Sequence, residues 1–290
     1  DLQAHNDSNK SSNIRFVDAI SQAIHLSMKE DRDLIIMGQD IAEYGGVFKV
    51  TKGMSSVFGK ERVRNTPLCE SVILSASMGL SILNIPSIVE MQFSDFVSSG
   101  FTAIVNLISK SYYRWGQNAS IVIRMPCGGG VGAGPFHSQT NESWFTTVPG
   151  LKVVYPSFPK EAKGLLINSI KDPNPVLFFE HKKLYRTISE DVPSEPYITP
   201  FGKAILRVEG DDMCIISYGL GIHWALEEVK KFPQAKIAVL DINTLVPLDH
   251  DSIFDLVKKT GKVLLLQEDS RLGGFMGEIA AEISEKCFEH

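Results

Sequence analysis

The chain has 290 residues, 43% of them hydrophobic, and a formal charge of −5 from 29 basic and 34 acidic side chains. That is enough chain to bury one large or two medium cores. The absence of a basic block argues against nucleic acid or an anionic membrane surface as a partner, and no apolar run approaches a membrane span.

The polar opening, residues 1–12, reads as a disordered tail or linker and not as a signal peptide. From Asn13 the pattern is helical, with Val17, Ile20, Ile24 and Met28 at three- and four-residue steps. Residues 34–37 form a short continuous apolar run, the signature of a strand buried on both faces. The loop G-Q-D-I-A-E-Y-G-G and a short helix over 53–58 follow. A strand at 63–65 stops at Pro67 and delivers Glu70 to the start of a helix over 70–83. Next come a strand at 87–91, a long helix over 96–115, and a strand at 120–125 leading into a glycine-rich loop, 127–135. Strands at 152–155 and 176–179 bracket a helix over 159–171.

This alternation predicts an α/β fold with a doubly wound, parallel sheet. Ligands of such sheets gather outside the carboxyl ends of the strands. Glu70, Phe96 and the glycine loop all follow strands, so the topology allows them to meet on one edge. Between 180 and 200, Pro193, Pro196 and Pro200 punctuate a polar stretch, which predicts a boundary between domains at 13–190 and 197–290. The second is a smaller α/β domain, with strands at 213–217, 236–241 and 263–267 and helices at 222–232, 251–259 and from 274. A helical pattern still running at His290 predicts that the natural protein extends further. There is no internal repeat.

Glu70 reads in two ways: a first-turn carboxylate favoured by the helix dipole, or a general acid/base beside apolar Leu68 and Cys69. His137 follows a segment, 127–134, in which five of eight residues are glycine. It is either incidental to a surface loop or a half-buried proton carrier. The glycine loop is neither a P-loop, lacking G-K-[ST], nor a dinucleotide fingerprint. His223, in G-L-G-I-H, reads as a helix-start residue. Phe93 and Phe96 follow a strand, where an aromatic ring is either core or a stacking face for a flat heterocycle. There is no G-x-S-x-G elbow and no H-E-x-x-H cluster. Cys69, Cys127, Cys214 and Cys287 lack metal-finger or C-x-x-C spacing and read as reduced thiols of an intracellular protein.

From Asn13 onward the chain resembles the β subunit of thiamine-diphosphate-dependent 2-oxoacid dehydrogenases. The blocks that carry the resemblance are R-F-V-D-A-I, G-Q-D-I-A-E-Y-G-G-V-F-K-V-T-K-G, N-T-P-L-C-E, E-M-Q-F-S-D-F, F-H-S-Q, P-G-L-K-V-V-Y-P, A-K-G-L-L and D-P-N-P. N-T-P-L-C-E with Q-F-S-D-F leans toward the branched-chain (2-oxoisovalerate) type over the pyruvate type.

The resemblance implies a pyrimidine-binding domain followed by a transketolase-like C-terminal domain. Glu70 matches the glutamate that bonds a ring nitrogen of the cofactor's aminopyrimidine and so starts proton removal from the thiazolium. That role needs a shared proton, which apolar neighbours such as Leu68 favour. Phe96 matches an aromatic residue stacked on the pyrimidine, Leu68 an apolar contact to the cofactor, and His137 a histidine near the reacting carbon. Backbone carbonyls of Ala119, Ile121, Val122, Ser169, Asp172 and Asn174 match a structural potassium site of some members. The implied activity is oxidative decarboxylation of a 2-oxoacid with acyl transfer to lipoyl, in the bacterial cytoplasm or mitochondrial matrix.

Three departures matter. Gln39 stands where the family commonly has an acidic residue of a proposed proton relay, and Gln39 cannot ionise. The family's last segment, about forty residues by comparison, which contacts the acyltransferase core, is absent from the sequence. No G-D-G motif occurs, so the diphosphate and its Mg²⁺ must be held by an α subunit or a fused α domain. The expected assembly contains that α chain, a second β chain and the lipoyl-bearing acyltransferase. Other readings of the same residues are a pyruvate-type β subunit, a non-catalytic assembly or regulatory subunit of the same fold, and a single-chain transketolase-like enzyme.

Overall fold

The structure, a computed structural model, describes residues 11–290. Most of the expected tail therefore lies outside the described residues. Ser11 and Ser12 instead open a strand, β1 (Ser11–Arg15), and the helix expected from Asn13 begins three residues later as α1 (Phe16–Glu30). There follow β2 (Ile35–Gly38), α2 (Met54–Phe58), β3 (Val63–Asn65), α3 (Glu70–Ile82) and β4 (Ser87–Glu90). The helix expected over 96–115 is broken into a 3₁₀ segment, Ser94–Gly100, a π-helical segment, Ala103–Ile108, and α4 (Ser111–Trp115). Ser98 donates its hydroxyl to the Asp95 carbonyl three residues back, and the Ser99 hydroxyl lies within hydrogen-bond reach of the Phe96 carbonyl. Such local bonds offer the backbone an alternative to α-helix pairing, and no periodicity of apolar residues reports them.

Then come β5 (Ile121–Cys127), a 3₁₀ turn Pro135–His137, α5 (Ser143–Thr146), β6 (Lys152–Val154), α6 (Pro159–Lys171), β7 (Val176–His181), α7 (Leu184–Thr187) and β8 (Ser189–Pro193). The last part of the chain supplies β9 (Ile205–Val208), β10 (Met213–Ser217), α8 (Leu220–Val229), β11 (Ile237–Asp241), β12 (Thr244–Val246), α9 (His250–Thr260), β13 (Val263–Leu265) and α10 (Met276–Lys286).

The larger sheet has seven strands in the order β12-β6-β7-β5-β4-β2-β3, parallel except for β12. The smaller has four, β13-β10-β11-β9, with β9 antiparallel. Strands β1 and β8 pair with each other, so the proline-punctuated stretch expected as a boundary contains a strand tied to the chain's beginning. Alternation along the strands builds the two faces of the larger sheet. Ile36, Ile88, Val122 and Val176 are aligned across four strands and pack with Phe16, Ile20 and Ile24 of α1 and Leu165 and Leu166 of α6. The next row, Met37, Val89, Ile123 and Leu177, faces the other way onto Ile73, Leu74 and Met78 of α3. Truncating one of these fully buried side chains, such as Ile88→Ala, costs about 2–5 kcal/mol.

One charge cluster is buried in this sheet. Arg124, with no exposed surface, forms a bidentate pair with Glu180 at 2.7 and 2.8 Å and also donates to Glu90. Tyr185 Oη donates to the same Glu180 at 2.6 Å. Burial pushes the Glu90 carboxyl up, against the pull of the Arg124 charge. The cluster ties β4, β5 and β7 together directly beneath their carboxyl ends.

Candidate active site

The carboxyl ends of the six parallel strands open on one edge, and five of them contribute a residue beyond the end. Gln39 follows β2, Glu70 follows β3, Phe93, Asp95 and Phe96 follow β4, the glycine loop follows β5, and Lys182 follows β7. The amide of Thr66 makes the last bond of β3, to the Gly38 carbonyl, at 3.0 Å. Pro67 then ends the strand, Cys69 N–H turns back to the Pro67 carbonyl at 2.9 Å, and α3 starts at Glu70. Glu70 is thus a first-turn residue, with the helix dipole favouring its charge.

Its carboxylate also has two specific donors. Gln39 Nε2 donates to Glu70 Oε1 and Ser99 Oγ to Glu70 Oε2, each at 2.9 Å. Ser99 belongs to the 3₁₀ segment that carries Phe96, so it joins Glu70 to the aromatic side of the site. Gly100 lets that segment lie against α3, because a Cβ there would sit 2.3 Å from Leu74 Cδ1. Leu68 does not shield Glu70 within this chain: its side chain is 81% exposed.

Phe96 and His137 are half-buried and in contact, with ring centroids 5.4 Å apart and planes at 81°. Phe93 completes the triangle, edge-on to His137 at 4.7 Å and to Phe96 at 5.7 Å. Phe48, from the loop after β2, packs on Phe93 from the other side at 5.5 Å. Glu70, Phe96 and the glycine loop, which the topology allowed to meet, lie on one edge, with Phe96 touching His137 and Glu70 linked to the Phe96 segment through Ser99.

The glycine loop is closed at its neck: Gly128 N–H donates to the Gln139 carbonyl at 2.9 Å. Asp95 Oδ1 accepts the N–H groups of Ser138 and Gln139, both at 3.1 Å. On the opposite side Glu268 Oε1 accepts Gly129 N–H at 2.9 Å, and its Oε2 pairs with His181 Nε2 at 2.5 Å. His181 Nδ1 accepts Lys183 N–H at 3.2 Å, so Nε2 carries the hydrogen given to Glu268. Burial pushes the Glu268 carboxyl up, but the hydrogen bonds from His181 and the Gly129 amide outweigh it and hold it below the usual range. Gly128 has φ +83°, and a Cβ there would lie 2.0 Å from His181 Nε2, so only glycine fits. Lys182 Nζ is buried with no hydrogen-bond partner among the described residues, 5.6 Å from the Phe93 ring, and burial pushes its pKa down.

Sequence reading missed several of these contacts. Asp95 lies inside Q-F-S-D-F, beside a residue already singled out, and a carboxylate between two aromatics was the available signal. Ser99 gave none, and Glu268 is 139 residues from the amide it binds. His223 is the fourth residue of α8, not its start; it bonds the Ser157 carbonyl at 2.8 Å and is remote in role from this edge.

The carbonyl set Ala119, Ile121, Val122, Ser169, Asp172 and Asn174 lies at the opposite, amino edge of the sheet. Ala119 N–H bonds the Pro173 carbonyl at 3.1 Å, which brings the two stretches together. The Ala119 carbonyl already accepts Ile121 N–H at 2.8 Å and that of Ser169 accepts Asp172 N–H at 3.3 Å, leaving each its second lone pair. Among the described residues no group of three or more His, Cys, Asp or Glu side chains is arranged to hold a metal ion. None of their helices is long and apolar enough to cross a membrane.

The fold and this edge define a class. Residues 12–187 match the transketolase pyrimidine-binding domain and residues 202–290 the transketolase C-terminal domain. A split-gene transketolase, solved as an inactive β4 tetramer, shares the fold with a TM-score of 0.75 at 20% identity, over 94% of this chain and 85% of that one.

Within that class the chain belongs to the β subunits of 2-oxoacid dehydrogenases. It is 44% identical to the 2-oxoisovalerate dehydrogenase β subunit of Bacillus subtilis, over 94% of this chain and 84% of the relative. It is 41% identical to the mitochondrial 2-oxoisovalerate dehydrogenase β subunit 2 of Arabidopsis thaliana, over 97% and 79%. It is 40% identical to the pyruvate dehydrogenase E1 β subunit of Staphylococcus aureus, over 93% and 85%.

Proposed function

We propose that this chain is the catalytic β half of a thiamine-diphosphate-dependent 2-oxoacid dehydrogenase, acting on a branched-chain 2-oxoacid and passing the acyl group to lipoyl. The observation that carries the proposal is Glu70. A carboxylate at the carboxyl edge of the sheet is met by two donors, Gln39 and Ser99, and Ser99 belongs to the same 3₁₀ segment as the half-exposed Phe96.

Thiamine diphosphate, when bound, supplies the electron sink for decarboxylation. The donor set fits its pyrimidine end. Glu70 shares a proton with a ring nitrogen, Phe96 offers a flat apolar face, and exposed Leu68 offers an apolar contact from outside the chain's own core. Gln39 and Ser99 hold the carboxylate in one orientation, so the proton is moved at a defined atom. His137, steadied by the edges of Phe93 and Phe96, holds or donates a proton where the substrate carbon reacts.

The diphosphate end is different. Among the described residues the donors to Glu70 are the neutral Gln39 and Ser99, and the chain carries no G-D-G motif. The magnesium and the diphosphate therefore belong to an α subunit or a fused α domain, which completes the site. The assembly we propose also holds a second β chain and a lipoyl-bearing acyltransferase. The carbonyls of Ala119, Ile121, Val122, Ser169, Asp172 and Asn174 are proposed as a potassium site that braces the sheet from its amino edge.

The test is Glu70→Gln in the α–β assembly with thiamine diphosphate and Mg²⁺, read by 2-oxoacid-dependent dye reduction. Activity is expected to be lost while circular dichroism and assembly are unchanged; retained decarboxylation would sink the proposal. Comparing kcat/KM for 2-oxoisovalerate and pyruvate decides the substrate, with the branched acid expected to be preferred.

A further inference from the structure

His137 sits near the end of a loop whose backbone, glycine at 128, 129, 130, 132 and 134, has little stiffness of its own. Something must fix the imidazole if it is to serve one reacting atom. Its aromatic neighbours limit the ring but do not anchor the chain. Beside the Gly128–Gln139 backbone bond and the Ser94 hydroxyl on the Gln139 carbonyl, the neck of the loop is anchored by two carboxylates, one on each arm. Asp95 takes two successive amides, Ser138 and Gln139, immediately after His137. Glu268, from the loop after β13, takes Gly129 at the other side of the neck and is itself held by buried His181.

We infer that Asp95 and Glu268 form a two-sided clamp on the neck of the glycine loop and are positioning residues for His137. The inference rests on the role proposed for His137. It gives the C-terminal part of the chain an indirect part in the chemistry at the larger sheet, through the bond of Glu268 to the Gly129 amide. The two carboxylates act differently. Asp95 needs only an acceptor oxygen, because both of its bonds are to neutral amides. Glu268 bonds one amide and one imidazole N–H, and both of its oxygens are used.

The experiment uses the α–β assembly with thiamine diphosphate and Mg²⁺, and the variants Asp95→Ala, Asp95→Asn and Glu268→Ala, each alone and combined with His137→Ala. Misplacing a reacting group by an ångström costs roughly a hundredfold, so kcat for D95A and E268A is expected to fall about tenfold to a hundredfold, with KM for the 2-oxoacid changing by less than about threefold. D95N keeps the acceptor oxygen and is expected to stay within about threefold of wild-type kcat. In the His137→Ala background neither D95A nor E268A should lower kcat further. Hydrogen exchange of the peptide spanning 128–139 supplies a readout independent of turnover: faster in D95A and E268A, unchanged in D95N.

Wild-type exchange and kcat in D95A and E268A would overturn the inference. So would an equal loss with and without His137, which marks general destabilisation. If H137A alone is fully active, the reading of His137 fails, and with it the clamp's catalytic purpose, while the exchange data still report whether the clamp exists.

Discussion

Gln39 Nε2 donates to Glu70 Oε1 at 2.9 Å, while Gln39 Oε1, equally buried, has no partner among the described residues. One of the two donors that orient the candidate acid/base is thus a neutral amide. Gln39→Leu removes that donor and also an unpaired buried acceptor, so it should change stability little. A hydrogen bond to a charged group contributes about 1.5–3 kcal/mol, so kcat should fall about tenfold to a hundredfold. Steady-state kinetics of the assembled enzyme with a thermal melt checks both halves, and wild-type kcat in Q39L would remove Gln39 from the site.

The Arg124 cluster governs stability more than chemistry. Arg124→Met leaves Glu90 and Glu180 buried without their cation, which costs about 3–5 kcal/mol. Urea unfolding should show the midpoint falling by the corresponding amount. A midpoint near wild type would mean that the carboxylates are neutralised by other means.

Glu142 is fully buried, and burial pushes its carboxyl up to about 7 although Tyr218 Oη donates to it at 2.7 Å. A carboxylate with a raised folded-state pKa binds more protons folded than unfolded between the two values. Its contribution is complete below the ordinary value of 4.5 and is lost as pH rises toward about 7. Wild type should therefore lose about 3 kcal/mol across that window relative to Glu142→Gln, whose amide oxygen still accepts from Tyr218. Urea midpoints of both proteins through this pH range make the comparison, and parallel curves count against a raised Glu142.

If the amino-edge carbonyls hold potassium, the cation binds only the folded chain and raises its stability by mass action. The thermal midpoint should then rise by a few degrees in potassium chloride over choline chloride at equal ionic strength, with sodium giving less. Equal midpoints in all three salts would leave those carbonyls without a cation.

Much of this was legible in the chain itself, for physical reasons that differ by element. The helix over 159–171 is bounded as expected, because Pro159 sets its first turn. Continuous apolar runs marked the buried strands. The segment after β4 misled the eye, since apolar spacing cannot register the serine back-bonds and the close approach at Gly100 that tighten it. Strand β12 gave no separate signal, because its three residues follow β11 after only two and run straight into Pro247. At the site, Glu70, Phe96 and His137 stand out by their positions after strands and the glycine loop, and the family blocks supply their roles, while Ser99 and Glu268 emerge only from three-dimensional neighbours.

The pairing of β12 with β6 reaches beyond the site. Thr244–Val246 supplies the outermost strand of the larger sheet, antiparallel to Lys152–Val154. A protein cut between its two matched domains would strip that cover and leave β6 as a bare hydrogen-bonding edge, a template for aggregation. Separately expressed halves should therefore be poorly soluble apart and recover only when mixed early in folding. Exchanging C-terminal domains between relatives will succeed only where the donor brings a strand that caps the same edge.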